Sequence, residues 1–256
     1  MRVLIVFLFV GNFLFLQAET AFVAEPTNDI EAFDDSFEDE FDAPKVAEKG
    51  FDPLSGYNTI MTGFNDKFYT GLLIPTAKGY RHILPKEGRK SVSNFFDNLL
   101  FPVRFVNNVL QLKFQNAGEE FARFGINSTI GLLGLFDPAK SKFDLNAHHE
   151  DFGQTLGHYG VGSGFHIVLP FLGPSNLRDT IGLFADTTVD PLYKYEGRFY
   201  NITQKNYESI ALKSYDILND SSLHIGEYAS LKKDALVLYP FLRDLYEQRR
   251  VKLIKE

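Results

Sequence analysis

The stretch that decides how this chain folds is HEDFGQTLGHYGVGSGFHIVLPFLGPSNLRDTIG, residues 149–182, which holds seven glycines and three histidines around a short apolar run. Glycine lets the backbone approach other groups closely and adopt dihedral angles that other residues avoid. The apolar run FHIVLPFLGP, residues 165–174, follows the glycine cluster directly. A turn-rich segment that presents polar groups and apolar surface together suits an amphiphilic ligand better than a polar substrate.

The glycines match no nucleotide-binding or esterase motif. The cluster GVGSG, residues 160–164, is not GxGxxG, and no strand pattern precedes it. The G-x-S-x-G turn of esterases requires glycine two residues before Ser163, where Val161 stands. The nearby histidines and Asp179 leave a phospholipase open as an alternative.

Four histidines, His148, His149, His158 and His166, raise the question of a metal site. HHEDFG is not HExxH, and no two of these histidines are spaced as neighbours on one helix face. The chain has no cysteine, which removes thiolate ligands and cysteine nucleophiles. The sequence therefore predicts no metal, no cofactor and no catalytic residue, and the histidines suit turn caps or a half-wet membrane interface.

Outside this stretch the sequence consists of short helical patterns broken by Gly, Pro and Asn. Apolar residues recur at spacings of three and four, as in Ile60, Phe64 and Phe68, and Pro75 is predicted to limit that helix. The chain therefore predicts an all-α fold of about seven short amphipathic helices, with the glycine-rich segment irregular.

The N-terminal part is predicted to lie outside this fold. Residues 1–18 have the pattern of a secretory signal peptide, with Arg2 before an apolar run and a small residue, Ala18, at the cleavage position. Residues 19–50 are predicted to be an acidic flexible tether, because residues 25–44 hold nine acids and no base. The helical domain then spans 51–256 and is nearly balanced in charge, which predicts no nucleic-acid partner.

Aromatic side chains, 26 Phe and 12 Tyr, carry an unusual share of the apolar surface. The uncharged run at residues 126–136 is too short to cross a bilayer. Phe-rich amphipathic helices can lie in the plane of a membrane interface. An ordinary buried core explains the same stripes, and periodicity alone does not separate the two.

Several blocks of sequence, in order along residues 51–250, resemble the MlaA family, also called VacJ, of outer-membrane phospholipid-trafficking proteins. Besides the opening stretch and the DPL at residues 190–192, the matching blocks are DPLSGYNTIMTGFNDKF at 52–68, PTAKGYRHILP at 75–85, SNFFDNLLFPVRFVNNVLQLKF at 93–114, RFGINSTIGLLGLFDPA at 123–139 and YPFLRDLYEQRR at 239–250.

The resemblance implies a ring-shaped helical protein that lies in the inner leaflet of the outer membrane, at its periplasmic face, and often binds trimeric porins. It implies non-enzymatic transport, in which mislocalised phospholipid passes from the outer leaflet through an amphipathic channel to a soluble periplasmic carrier and lipid asymmetry is maintained. A structural, porin-associated envelope protein that moves no lipid is the main alternative.

Two departures from the family pattern bear on this expectation. Members commonly carry a lipobox cysteine, which is absent here, so no lipid anchor is predicted. Phe165 and His166 stand where the family usually has Pro-Tyr after the glycine cluster.

A lipid path is predicted along the glycine-rich segment and the GFND motif, residues 63–66. Thr155, His158 and Tyr159 are predicted to meet the head group. The full predicted path is Phe64, Asn65, Gly153, Thr155, Gly157, His158, Tyr159, Gly160, Gly162, Gly164, Phe165, Ile167, Leu169 and Phe171. Structural roles, as helix caps or a local ion pair, are predicted for Asp151, Arg178 and Asp179.

Overall fold

The first helices of the domain follow one another almost without interruption. In the computed structural model, which describes residues 52–194, 201–203 and 205–256, α1 spans Ser55–Phe68 and continues through a π-helical turn, Tyr69–Leu73, into α2, Ile74–Ile83. Pro75 does not end the helix as the sequence predicts. It lies directly after the π-helical turn, at the start of α2, and the helix continues through it. The predicted signal peptide and tether lie outside the described residues.

The all-α class is confirmed, although the described residues form eleven α-helices rather than about seven. Two of the additional helices, Phe152–His158 and Leu177–Asp186, lie in the stretch 149–182 that the sequence predicts to be irregular, and Leu112, at φ 61°, follows the end of the helix Phe101–Leu110. The further helices are α3 (Lys86–Leu99), α4 (Phe101–Leu110), α5 (Phe114–Thr129), α6 (Pro138–Phe143), α7 (Phe152–His158), α8 (Leu177–Asp186), α9 (Asn206–Leu223), α10 (Glu227–Asp234) and α11 (Leu238–Lys255).

The glycine-rich segment is not wholly irregular, because it contains a β-hairpin that the sequence analysis missed. Strand β1, His166–Leu169, pairs antiparallel with β2, Gly173–Asn176, and the register sets His166 opposite Asn176. The three-residue loop between them turns with Phe171 at φ 66° and Gly173 at φ 88°. The loop residues 170–172 are called the hairpin tip below.

Packing neighbours form a closed circuit of elements. From α2 the contacts run through α9, α3, α4, α7 and α8 to β2, and β2 contacts α1, which leads back to α2. The C-terminal helix α11 packs on α7, β2 and α1. The last helix therefore contacts both the early part of the glycine-rich segment, at α7, and its later part, at β2, together with the first helix of the domain.

The distribution of polar and apolar side chains is the reverse of that in a soluble globular protein. Among the described residues, 26 polar or charged residues are buried, against only seven apolar ones, namely Ala77, Phe96, Ala117, Ala139, Val168, Leu192 and Tyr239. More than thirty large apolar side chains are exposed. The polar groups meet one another inside, and the apolar surface faces outward. Within the described residues, no helix is long and apolar enough to cross a bilayer.

Candidate functional site

The β-hairpin is tied to α1 by two asparagines, two helical turns apart. The Asn58 amide donates to the His166 carbonyl at 3.0 Å and accepts from the Val168 N–H at 2.8 Å. The Asn65 amide donates to the Leu169 carbonyl at 2.9 Å and accepts from the Phe171 N–H at 2.7 Å. Each carboxamide thus makes the two hydrogen bonds that the backbone of a neighbouring strand would make. Together the two asparagines satisfy backbone N–H and C=O groups along the edge of β1 that does not pair with β2.

Aromatic contacts hold the hairpin tip against the same helix. The Phe171 ring makes edge-to-face contacts with Phe64, at 5.1 Å between centroids, and with Phe68, at 4.9 Å. Phe171 nevertheless remains 59 % exposed, as does its neighbour Leu172. The hairpin tip is therefore held against α1 while its apolar side chains remain largely exposed.

Beneath the tip lies an apolar cavity of about 210 Å³. Its near wall is formed by the end of α1, the π-helical turn and the hairpin, and its far wall by α9, α10 and α11. Among the described residues, no charged side chain lines it. Of the predicted path, Asn65 and Phe171 line this cavity, and Phe64 and Leu169 lie beside it.

Replacing Asn65 with alanine is expected to free the hairpin tip from α1. Two hydrogen bonds are lost, the partly buried Leu169 carbonyl is left without its partner and the exposed Phe171 N–H is left to water, a local destabilisation of about 1–2 kcal/mol. Hydrogen exchange of the Phe171 amide should accelerate about 5- to 30-fold, with little change in α5. Asn206→Ala, at an exposed position at the start of α9, is the control, and unchanged exchange at Phe171 would show that the tip is held by its rings alone.

The interior beside α7 is a chain of hydrogen-bonded polar side chains. Thr155 Oγ1 donates to Asn107 at 2.9 Å and accepts from Gln111 at 3.2 Å. Gln111 donates to Glu150 at 2.7 Å, and Asn107 donates to Asp186 at 2.8 Å. Thr155 is buried, and its hydroxyl is bound on both sides within this network, so its predicted contact with a head group stays a prediction.

The residues predicted as structural form a buried ion cluster with the last helix. Arg250 donates to both oxygens of Asp151, at 2.6 and 2.8 Å, and to Asp179 Oδ1 at 3.0 Å. Asp179 also accepts from Arg178 at 2.9 Å and from the Tyr246 hydroxyl at 2.8 Å. Asp151 in addition accepts from the Gln154 N–H at 2.7 Å and so caps α7.

The five predicted path glycines have different surroundings. A Cβ at Gly153 would lie 2.4 Å from Asp179 Oδ1, and one at Gly157 would meet the Ile254 side chain, so these two permit helix packing. Gly164 lies against Leu177. Gly160 and Gly162 have no atom within 4 Å of the Cβ position, and Gly160 adopts φ 82°. Only this last pair borders open space.

The remaining predicted path residues flank that open pair. His158 and Tyr159 are exposed at the end of α7, and the Tyr159 hydroxyl donates to the Leu110 carbonyl at 2.5 Å. Phe165 and Ile167 are half-buried on the other side, at the start of the hairpin. The structure therefore separates the predicted path into a buried part in α7 and an accessible part at residues 158–171.

The fold raises the pKa of three acidic side chains that the sequence analysis missed. Asp97 is exposed, yet the surrounding protein desolvates it and raises its pKa. Desolvation raises the pKa of Asp216 and of Asp186 to about 6, and nearby acidic charges add to the effect. The charge of Asp97 contributes to the raised pKa of Asp216, so these two carboxylates influence each other. Desolvation, together with the charge of Arg104, lowers the pKa of His149.

Replacing Asp216 with asparagine is expected to stabilise the fold at pH 7 by about 1–2 kcal/mol. The folded pKa near 6 exceeds the unfolded value near 3.8, so the wild type gains stability as the pH falls from 7 towards 4. The neutral amide removes that dependence, and the two proteins should converge near pH 4. Denaturant unfolding across this range measures the effect. Exposed Asp234→Asn is the control, and a pH-independent difference would contradict the explanation.

A second exposed apolar surface was also missed. Rings on α4 and α5 pack at the surface, with Phe101 stacked on Phe124 at 4.4 Å, and the following loop exposes Leu132 and Leu133. Both leucines have positive φ, 53° and 60°, an uncommon conformation for a bulky residue. The uncharged run at residues 126–136 was the available signal. We call α5 and this run the aromatic face, and its size is typical of a membrane or protein contact.

No hydrolytic or metal-binding arrangement is present in the part of the chain that the structure describes. Ser163 Oγ donates only to the Gly164 carbonyl, at 3.5 Å, and no histidine contacts it. His148 pairs with Glu119 at 2.7 Å and His166 with Glu247 at 3.2 Å, far apart along the fold. Within the described residues, no three suitable side chains converge on a metal position.

The amino-acid sequence is similar to proteins from several bacteria. An uncharacterised protein of Rickettsia bellii is 33% identical over 203 residues, 78% of this chain and 75% of that protein. The intermembrane phospholipid transport system lipoprotein MlaA of Escherichia coli is 39% identical over 139 residues, 53% of this chain and 55% of that protein. The protein of the same name from Haemophilus influenzae is 29% identical over 213 residues, 81% of this chain and 80% of that protein.

The fold is similar to a solved structure as well. That structure, reported as the structural basis for maintenance of bacterial outer membrane lipid asymmetry, superposes with a TM-score of 0.67 at 30% identity and covers 80% of this chain and 99% of the other. The family model described as MlaA lipoprotein matches residues 50–253, which include every element of the circuit. The chain therefore belongs to the MlaA lipoprotein family.

Proposed function

We propose that this chain moves phospholipid from the outer leaflet of the outer membrane, through a polar passage enclosed by its helices, to a soluble periplasmic carrier. The observation that carries the proposal is the inverted distribution of side chains, with an apolar exterior around a polar interior. Such a body is stable with its exterior in lipid, and its interior offers water and hydrogen bonds to a head group. The transport function named for the E. coli and H. influenzae relatives supports the same conclusion.

A passage of this kind addresses the slow step of lipid movement. A phospholipid with two chains of about 16 carbons exposes roughly 30 methylenes, and at ~0.8 kcal/mol each, transfer to water costs about 24 kcal/mol. A barrier of that height corresponds to a rate of about 10⁻⁵ per second. Shielding part of the chains while the head group remains wet lowers the barrier, and no covalent bond is made or broken.

The exposed apolar surfaces are assigned to membrane contact in this proposal. The aromatic face would lie in the acyl region of the inner leaflet, with Asp97 and Asp216 on the periplasmic side. The tails would pass along Phe64, Phe165, Ile167, Leu169 and Phe171. The head group would pass His158, Tyr159, Gly160 and Gly162. Gly153 and Gly157 are omitted from this path because they permit helix packing, and Thr155 because its hydroxyl is bound within the buried polar network. A trimeric porin would hold the protein in place laterally.

The proposal is tested by lipid transfer with the full chain purified in mild detergent and reconstituted into vesicles. Labelled phosphatidylethanolamine should leave these vesicles for a soluble acceptor faster than from protein-free vesicles. Gly162→Trp narrows the open segment without a clash and should slow transfer about tenfold. Gly79→Trp, also without a clash but on α2, away from the aromatic face and the proposed path, is the matched control and should transfer at the wild-type rate.

Three outcomes would contradict the proposal. Porin binding without any lipid transfer would indicate a structural envelope protein. Release of free fatty acid that depends on His158 or Ser163 would indicate a phospholipase. Equal rates for the Gly162 and Gly79 variants would show that the lipid takes a different route.

A further inference from the structure

We propose that the apolar cavity beneath the hairpin tip is a binding site for the end of one phospholipid acyl chain. This inference rests on the proposed function and assigns a ligand to a site within it. The cavity of about 210 Å³ exceeds the roughly 150 Å³ of an engineered apolar cavity that takes up benzene. It is smaller than the pockets of about 300 Å³ or more that enclose a whole drug-sized ligand. A chain end fits, and a complete lipid does not.

The lining is mostly hydrocarbon. Phe68, Phe171 and Leu172 form the near side, and Ile217 and Leu242 the far side. The one amide in the wall, Asn65, uses both its oxygen and its nitrogen to bind the hairpin backbone. The other polar side chains of the wall are three hydroxyl groups, those of Thr62, Ser221 and Tyr228. A hydrocarbon segment therefore fits this lining better than a charged group, which would lose its hydration for few partners.

A cationic side chain lies two hydrogen bonds from the wall. The Tyr228 ring lines the cavity, and its hydroxyl donates to Asp66 at 2.9 Å. Asp66 also accepts from the Lys232 ammonium, at 2.8 and 2.9 Å, and Lys232 is exposed. The ammonium is therefore paired with Asp66, and its remaining N–H is the group that it could offer to a phosphate near the apolar cavity.

The position of the cavity relates it to the transport route. Phe171 forms part of its wall and also belongs to the proposed path of the tails. A chain end held there keeps its methylenes out of water while the head group lies in the wet part of the structure. The cavity thus serves as a holding site for a lipid in transit.

The test uses phosphatidylethanolamine with a diazirine at the end of one acyl chain, bound to the full chain in vesicles and activated by light. Mass spectrometry of the peptides should place cross-links mainly at residues 68–73, 168–174 and 217–221. Ile217→Trp fills the cavity from a partly exposed helix position and should reduce these cross-links about tenfold. Ile210→Trp, two helical turns earlier on α9 and outside the lining, is the matched control.

A second variant protects the test against loss of folding. Leu172→Trp narrows the cavity from the exposed tip and should reduce the same cross-links, and circular dichroism checks that each variant is folded. Cross-links spread evenly over the exposed apolar surface, or unchanged in both filling variants, would overturn the proposal. Cross-linking by a free fatty acid carrying the same diazirine, without cross-linking by phosphatidylethanolamine, would overturn the assignment to phospholipid.

The same protein samples separate this inference from the proposed function. Lipid transfer at the wild-type rate with no cross-link in the cavity would refute the acyl site and leave transport standing. Cross-links confined to the cavity in a protein that transfers no lipid would support the site and refute transport.

Discussion

Replacing Arg250 with methionine should lower the free energy of unfolding by about 3–5 kcal/mol at pH 7. Arg250 neutralises Asp151 and Asp179, to which it donates at 2.6–3.0 Å in a buried setting. Methionine preserves much of the side-chain volume but leaves Asp151 without its cation and Asp179 with Arg178 alone. Since these carboxylates belong to α7 and α8, both helices should lose their attachment to α11. Denaturant unfolding of the full chain in mild detergent measures the loss.

The adjacent Arg249 provides the matched control. It lies on the same helix turn and is exposed, so Arg249→Met should change the unfolding free energy by no more than about 0.5 kcal/mol. Equal midpoints for the two variants would show that α11 is held by its apolar contacts and not by the ion cluster.

The dependence of stability on pH in acid is an independent test of the same ion cluster. Burial disfavours the charged form of Asp151, but the hydrogen bonds and charge of Arg250 outweigh it and hold the pKa of Asp151 below its usual value. A depressed folded pKa contributes stability that is fully present above about pH 4 and is lost as the pH falls further. In Arg250→Met this acid-dependent loss should be much smaller than in the wild type. The same loss of stability below about pH 4 in both proteins would show that the ion pair of Asp151 and Arg250 is not its source.

The helical class was predictable because local spacing of apolar residues carries it. Ile60, Phe64 and Phe68 lie on one face at intervals of four, and the structure makes this segment α1. The hairpin was not predictable from such patterns. Its first strand, HIVL, is four residues long, and its outer edge is satisfied by Asn58 and Asn65, more than 100 residues away in sequence. Side-chain pairing across that distance leaves no periodic signal.

The candidate site was predictable in part for a related reason. The motif blocks brought Asn65 and Phe171 into one predicted path, and the structure places them in hydrogen-bond contact. The role of each residue in the predicted path depends on whether its side chain is buried, and the sequence motif does not indicate that. Thr155 has the chemistry to meet a head group but lies inside the polar network, whereas Asp97 and Asp216, which influence each other's charge, lie on separate helices that only the fold brings together.

Replacing Gly182 with leucine should destabilise the domain by about 3 kcal/mol or more. At this point α8 crosses α7 so closely that a Cβ on Gly182 would lie 2.4 Å from the Gly153 nitrogen and 2.8 Å from its Cα. The atoms that the new side chain would meet belong to the backbone of α7 and cannot move aside by changing a rotamer. The two helices must therefore separate. Thermal and denaturant unfolding measure the loss. Gly162→Leu is the control, since no atom lies within 4 Å of its Cβ position, and its stability should remain near that of the wild type.

The double variant Gly182→Leu with Arg250→Met tests whether the close crossing of α7 and α8 stabilises the fold through the ion cluster. Gly153 also lies against Asp179 and Arg250, so separating the helices would pull both acids from their cation. If that separation is the main damage, Gly182→Leu should cost much less in the Arg250→Met background, with a coupling of about 1–3 kcal/mol. Strictly additive losses would mean that the glycine crossing and the buried charges stabilise the fold independently, and the account of α7, α8 and α11 as one cooperative unit would fail.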